Sequence, residues 1–190
     1  MNRLYVSVVF VLLASGGLVF IAAQQTWARS AVSTPGLPDD TVNVSGSDAL
    51  AIVPALGLVV VAAALAIIAA SVRLRRVVGA LVIIAAVAGI IITAGGGSAV
   101  DHSFVRAVHE SPAFAGQSVP EAQTSVLWPA LAVAGFAVAA VAGALVIWWA
   151  SSWATMGRRY DAPAAHGQPA QADSDAEIWQ AQDDGRDPTE

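Results

Sequence analysis

Residues 49–94 read ALAIVPALGLVVVAAALAIIAASVRLRRVVGALVIIAAVAGIIITA. Two apolar runs, 49–72 and 77–94, flank the four residues Arg73-Leu74-Arg75-Arg76. A helix rises about 1.5 Å per residue, so roughly 20 apolar residues cross the hydrocarbon of a bilayer. A four-residue connection cannot let two spans diverge, so the stretch reads as a tight antiparallel transmembrane hairpin. Glycines 95–97 then end the third span, because glycine is the usual terminator of a helix.

Working outward, the same pattern recurs on both sides. Residues 4–23 are apolar without a charge, preceded by Arg3 and followed by Trp27. A cleaved signal peptide is the rival reading, but the run is longer than a typical h-region and no clean A-x-A site follows, so it reads as a retained first span. Residues 128–150 form the fourth run, with Pro129 in the first turn, where proline is tolerated. Pro54 stands in the first turns of the second run in the same way. The segments 24–48 and 98–127 read as exposed polar loops.

Composition agrees. Of the 190 residues, 56% are hydrophobic and 12% charged, and mean hydropathy is +0.65. Soluble domains carry about 25% charged residues, so this chain could not cover its apolar surface in water. The net charge of −5 belongs to the tail: from Gly157 onward there are three arginines against eight acids, while the rest is neutral. No basic stripe suggests nucleic acid as a partner. The chain has no cysteine, which excludes disulfides and thiolate sites. It has no lysine either, and its Ala, Val and Gly excess suggests a GC-rich bacterial genome.

Charge placement orients the spans. Arg3, Arg73, Arg75, Arg76, Arg158 and Arg159 share one side of a four-span arrangement, against Arg29 and Arg106 on the other. By the positive-inside rule both termini and the Arg73–Arg76 turn are cytoplasmic, and the two longer loops face outward. Tryptophans fall near the expected interfaces, Trp27 and Trp128 outside and Trp148, Trp149 and Trp153 inside, which reads as headgroup anchoring. The expected class is thus an all-α protein of the bacterial plasma membrane. A four-helix membrane domain at 1–156 precedes a disordered acidic tail at 157–190, which holds a candidate short helix at 175–184.

Little in this pattern points to catalysis. No ionisable residue falls inside the four runs, where each would cost roughly 2.5–3.5 kcal/mol at the bilayer centre. No G-x-S-x-G, P-loop or H-E-x-x-H is present, and neither an enzyme nor a bound cofactor is expected. Asp101, His102, His109 and Glu110 in the second loop carry metal-ligand chemistry without metal-site spacing, so a solvated loop is the preferred reading. Asn43-Val44-Ser45 matches a glycosylation sequon, which decides nothing for a bacterial chain. Ala85-x-x-x-Gly89 and Gly135-x-x-x-Ala139-x-x-x-Gly143 allow close helix approach. Packing within one chain is preferred over a homo-oligomer interface. In the tail, Ile178 and Trp179 form an apolar pair among acids, a candidate docking motif for a cytoplasmic protein partner.

Several segments together carry a resemblance: Gln24-Gln25-Thr26-Trp27, Arg73 to Ala80, Trp128-Pro129, Met156-Gly157-Arg158-Arg159-Tyr160-Asp161-Ala162-Pro163, and Trp179 to Thr189. In this order and spacing the chain resembles, over nearly its whole length, the actinobacterial tryptophan-biosynthesis-associated membrane proteins. These are also called the tryptophan-operon conserved hypothetical family. The resemblance implies a small multi-span protein associated with tryptophan biosynthesis, and carries over no catalytic residue or cofactor. Two functions are expected from it together with the residues. One is an accessory or scaffold protein tethering cytoplasmic partners. The other is a small channel or exporter for tryptophan, indole or a related neutral metabolite.

Overall fold

The computed structural model describes residues 3–35, 39–116 and 118–149, all within the unit Met1–Ala154. Four long helices, α1 (Arg3–Gln24), α3 (Ile52–Ala69), α4 (Val72–Gly95) and α6 (Leu127–Trp149), are each long and apolar enough to cross a membrane. They pack as a four-sided bundle in which α1 touches α3 and α6, and α4 touches α3 and α6. Its interior is a continuous apolar core that includes Leu12, Val19, Val53, Val60, Ile67, Val82, Phe136 and Val146. Outward-facing positions such as Phe10, Leu58, Ile84, Ile91 and Val141 are large, apolar and exposed, as a lipid-facing surface requires.

Glycine sets the helix separations. A Cβ on Gly16 would stand 2.7 Å from the Gly57 carbonyl oxygen, and one on Gly79 would stand 3.0 Å from that of Gly143. The backbones of α1 and α3, and of α4 and α6, therefore touch. Gly135 meets Ser15 and Val19 of α1, and Gly89 lies under the Phe136 ring. The small-residue spacings read in the sequence are thus used inside one chain, where close van der Waals approach replaces the hydrophobic drive that lipid removes.

The hairpin differs from expectation in one respect. The connection between α3 and α4 is Ala70 and Ser71, and Arg73, Arg75 and Arg76 lie within the first five residues of α4 rather than between helices. Arginine is a good helix former and serine suits the position before a helix, so local preference extends the helix through the charged residues. The expected charge-free third span therefore begins with three cations.

The segments read as loops fold into a cap at the other end of the bundle. β1 (Thr26–Val32) pairs antiparallel with β2 (Asp40–Ser45) on one side and β3 (Gln123–Thr124) on the other. A one-turn helix α2 (Gly46–Ala49) begins with a capping box: Ser45 Oγ accepts from the Asp48 amide, and the Asp48 carboxylate accepts from the Ser45 amide. Helix α5 (Gly97–Glu110) lays Val100, Phe104 and Val108 against Trp27, Val32, Val42 and Val44 of the sheet, forming a second small core. Two polar bonds cross the cap: Ser111 Oγ donates to Asp40 Oδ2 at 2.6 Å, and Thr34 Oγ1 donates to the Ala113 carbonyl at 2.7 Å.

Trp27 also departs from expectation. It is buried in the cap core rather than exposed at an interface, and its Nε1 donates to the Ala22 carbonyl at 3.0 Å. That carbonyl belongs to the last turn of α1 and also accepts the Gln25 amide at 3.3 Å, a long bond that the indole supplements. The indole thus caps α1 and fixes the sheet to the bundle. Trp148 is 83% exposed near the end of α6.

Candidate functional site

The buried stripe of α4 runs Arg75, Gly79, Val82, Ala86, Gly89, Thr93, a spacing of four and three that keeps one helix face turned to the core. Its two ends are polar and its middle is not. The two polar ends mark the two places where the bundle carries chemistry.

At one end Arg75 is only 4% exposed, whereas Arg73 and Arg76 are exposed. The Arg75 guanidinium lies over the Tyr5 ring at 5.1 Å, and its Nε donates to the Ile67 carbonyl at 3.3 Å. Tyr5 hydroxyl donates to the same carbonyl at 3.3 Å. That carbonyl is in the last turn of α3 and accepts the Ala70 amide at 3.4 Å, and the cation and the phenol add to that long bond. The arrangement ties α1, α3 and α4 together, while Nη1 is buried without a hydrogen-bond partner. Arg75 thus acts in packing as well as in charge, which a count of arginines does not reveal. The other expected residues of this end, Arg158 and Arg159, and the candidate docking pair Ile178 and Trp179, lie outside the described residues.

At the other end Thr93 sits beneath the cap. Two openings adjoin there and share Thr124 and Ser125. The wider, of about 500 Å³, is a polar cleft lined by Gln25, Thr26, Arg29, Gln123 and Trp128. The narrower, of about 260 Å³, lies between the α4–α5 junction and the start of α6, with Trp27, Thr93, Gly96, Gly97, Asp101 and Pro129 on its walls. Arg29 is exposed and pairs in the sheet with Gln123, so strand pairing brings together groups separated by about half the chain. Sequence reasoning missed both openings, because neither strand was recognised in the polar segments.

Asp101, His102, His109 and Glu110 fall on α5 as two pairs separated by two helical turns, roughly 10 Å apart along the axis. His109 instead packs its ring against Phe114 at 4.9 Å. Among the described residues no group of three or more His, Cys, Asp or Glu side chains converges on a metal position.

A family model described as the tryptophan-associated transmembrane protein matches residues 9–189, and the chain belongs to that family. Comparison with curated proteins and with solved structures gives no match. The family's description as transmembrane agrees with the four apolar helices.

Proposed function

We propose that this protein is a non-enzymatic accessory of the bacterial plasma membrane, linked to tryptophan biosynthesis and acting through what it holds at its two ends. The observation that carries this reading is the closed bundle. Backbone contacts at Gly16–Gly57 and Gly79–Gly143, with Phe136 over Gly89, fill the space through which a solute would pass. The only buried polar side chains in the middle two-thirds of the helices belong to Ser15, whose hydroxyl donates to the Leu12 carbonyl, among the described residues. A conduit for tryptophan or indole, the rival reading, needs a lined path that this packing does not offer.

The arginine distribution supports an orientation with the Arg75 end and both termini in the cytoplasm and the cap outside. Three cations within the first five residues of α4 oppose its dipole, an unfavourable placement that anionic headgroups would offset. On the cytoplasmic side Ile178 and Trp179 are the proposed anchors for a soluble protein partner. A buried indole contributes large apolar area, and the surrounding acids would steer it toward a basic surface. Labelled tryptophan uptake and efflux in a deletion strain, measured beside crosslinking of wild type and Trp179→Ala, tests the reading. Unchanged flux with crosslinking lost in the variant is expected. A flux defect with equal crosslinking in both would establish the conduit instead.

A further inference from the structure

We infer that the narrow crevice between the α4–α5 junction and the start of α6 binds a zwitterionic α-amino acid with a large apolar side chain. Three independent features of its wall point to that chemistry. The first is Thr93, 94% buried from its 6% exposure, whose Oγ1 has no hydrogen-bond partner. A helical threonine ordinarily returns its hydroxyl to a carbonyl of the preceding turn. Leaving a buried hydroxyl unmatched costs about 1–3 kcal/mol, so its place on the crevice wall suggests a partner that arrives from there.

The second feature is the start of α5. Gly96 has no side chain to cap the helix, and the bond that closes its first turn runs from the Val100 amide to the Gly96 carbonyl at 3.1 Å. The amides of Gly97, Ser98 and Ala99 are therefore the donors that a helix leaves unused, at the positive end of its dipole. A Cβ built on Gly97 would meet nothing within 4 Å, so a ligand can approach the backbone there. Carboxylates bind such ends through amide donors and dipole alike.

The third feature is Asp101, exposed on the same wall one turn further along α5. It sits about 6 Å along the axis from Gly97, within the reach of one small molecule. A carboxylate beside a helix start disfavours a purely anionic ligand, and the helix start disfavours a purely cationic one. A molecule carrying both charges satisfies both, with its ammonium on Asp101 and its carboxylate on the amides. Trp27, Val100 and Pro129 supply an apolar wall for the side chain. The volume of about 260 Å³ is below the roughly 300–1,000 Å³ of drug-sized pockets, the scale of a single amino acid.

The test uses the full chain in lipid nanodiscs, with calorimetry of four probes sharing one ring system: L-tryptophan, tryptamine, indole-3-propionate and indole. L-tryptophan is expected to bind at least tenfold tighter than the other three. Asp101→Asn should erase its advantage over indole-3-propionate while melting as wild type does, and Thr93→Val should weaken binding severalfold while melting no lower than wild type. Equal binding of all four probes would reduce the crevice to an apolar hole and overturn the inference. So would absence of L-tryptophan binding to wild type, or an L-tryptophan affinity unmoved by Asp101→Asn. Should Thr93→Val lower the melting temperature, Thr93→Ser replaces it: restored affinity is expected, and affinity as weak as that of Asp101→Asn would count against the hydroxyl.

Discussion

Replacing Gly143 by alanine puts a methyl group 3.0 Å from the Gly79 carbonyl oxygen and 3.2 Å from Ile83 Cγ1 and Val82 Cγ1. The first of these neighbours is backbone, so relief requires α4 and α6 to separate. Separation loosens contacts along both helices, and overpacking of this kind costs about 1–3 kcal/mol. The same change gains up to about 1 kcal/mol in helix propensity, so the net effect lies between neutrality and a loss of about 2 kcal/mol. Gly17 supplies the control: a Cβ there meets nothing within 4 Å, so Gly17→Ala should keep the propensity gain undiminished. The two variants should thus differ by about 1–3 kcal/mol in unfolding free energy, measured by denaturant titration in one detergent. Gly79→Ala combined with Gly143→Ala should cost less than the two single losses added, because either one already parts the helices. If Gly143→Ala is as stabilising as Gly17→Ala, the helices do not meet at this point and the closed bundle is wrong.

Other perturbations probe the cap and the arginine end. Trp27→Phe keeps the aromatic packing but removes the Nε1 bond to the Ala22 carbonyl, and should cost about 1–2 kcal/mol, read as a lower melting temperature. Ser111→Ala removes a 2.6 Å donor to the Asp40 carboxylate, an interaction worth about 1.5–3 kcal/mol. Limited proteolysis should then cut faster in the segment that joins β1 and β2. Arg75→Met keeps much of the side-chain volume while removing a buried charge whose Nη1 has no partner, so thermal stability should be unchanged or slightly raised. A large loss there would show that the contact with Tyr5 and the Ile67 carbonyl outweighs the desolvation of the guanidinium.

The four spans were legible because lipid leaves a one-dimensional trace: unbroken apolar runs of the length that a bilayer demands. Glycine contacts were legible in kind but not in partner, since spacing says that a face is small without saying what it meets. The cap was harder. Val100, Phe104 and Val108 recur every four residues, and that amphipathic signal for α5 stood in the sequence beside polar residues that suggested a loop. The sheet is a different case, because Arg29 finds Gln123 only once the bundle has brought the ends of α1 and α6 together. Local pattern carries no information about such a pairing. Arg75 shows the same limit on a smaller scale: among three arginines in four positions, helical phase alone decides that the middle one turns inward with Gly79 and Val82. The crevice beneath the cap inherits both difficulties, since its walls come from β1, α4, α5 and α6.

The absence of cysteine from the chain makes the orientation of the bundle directly measurable, because a single introduced thiol has no background. Ser71 stands exposed at the α3–α4 connection, and His102 stands exposed on α5 of the cap. Labelling with a membrane-impermeant maleimide in intact spheroplasts should mark His102→Cys at once and Ser71→Cys only after lysis. Labelling of Ser71→Cys in intact spheroplasts, with His102→Cys protected until lysis, would place the cap in the cytoplasm and contradict the account.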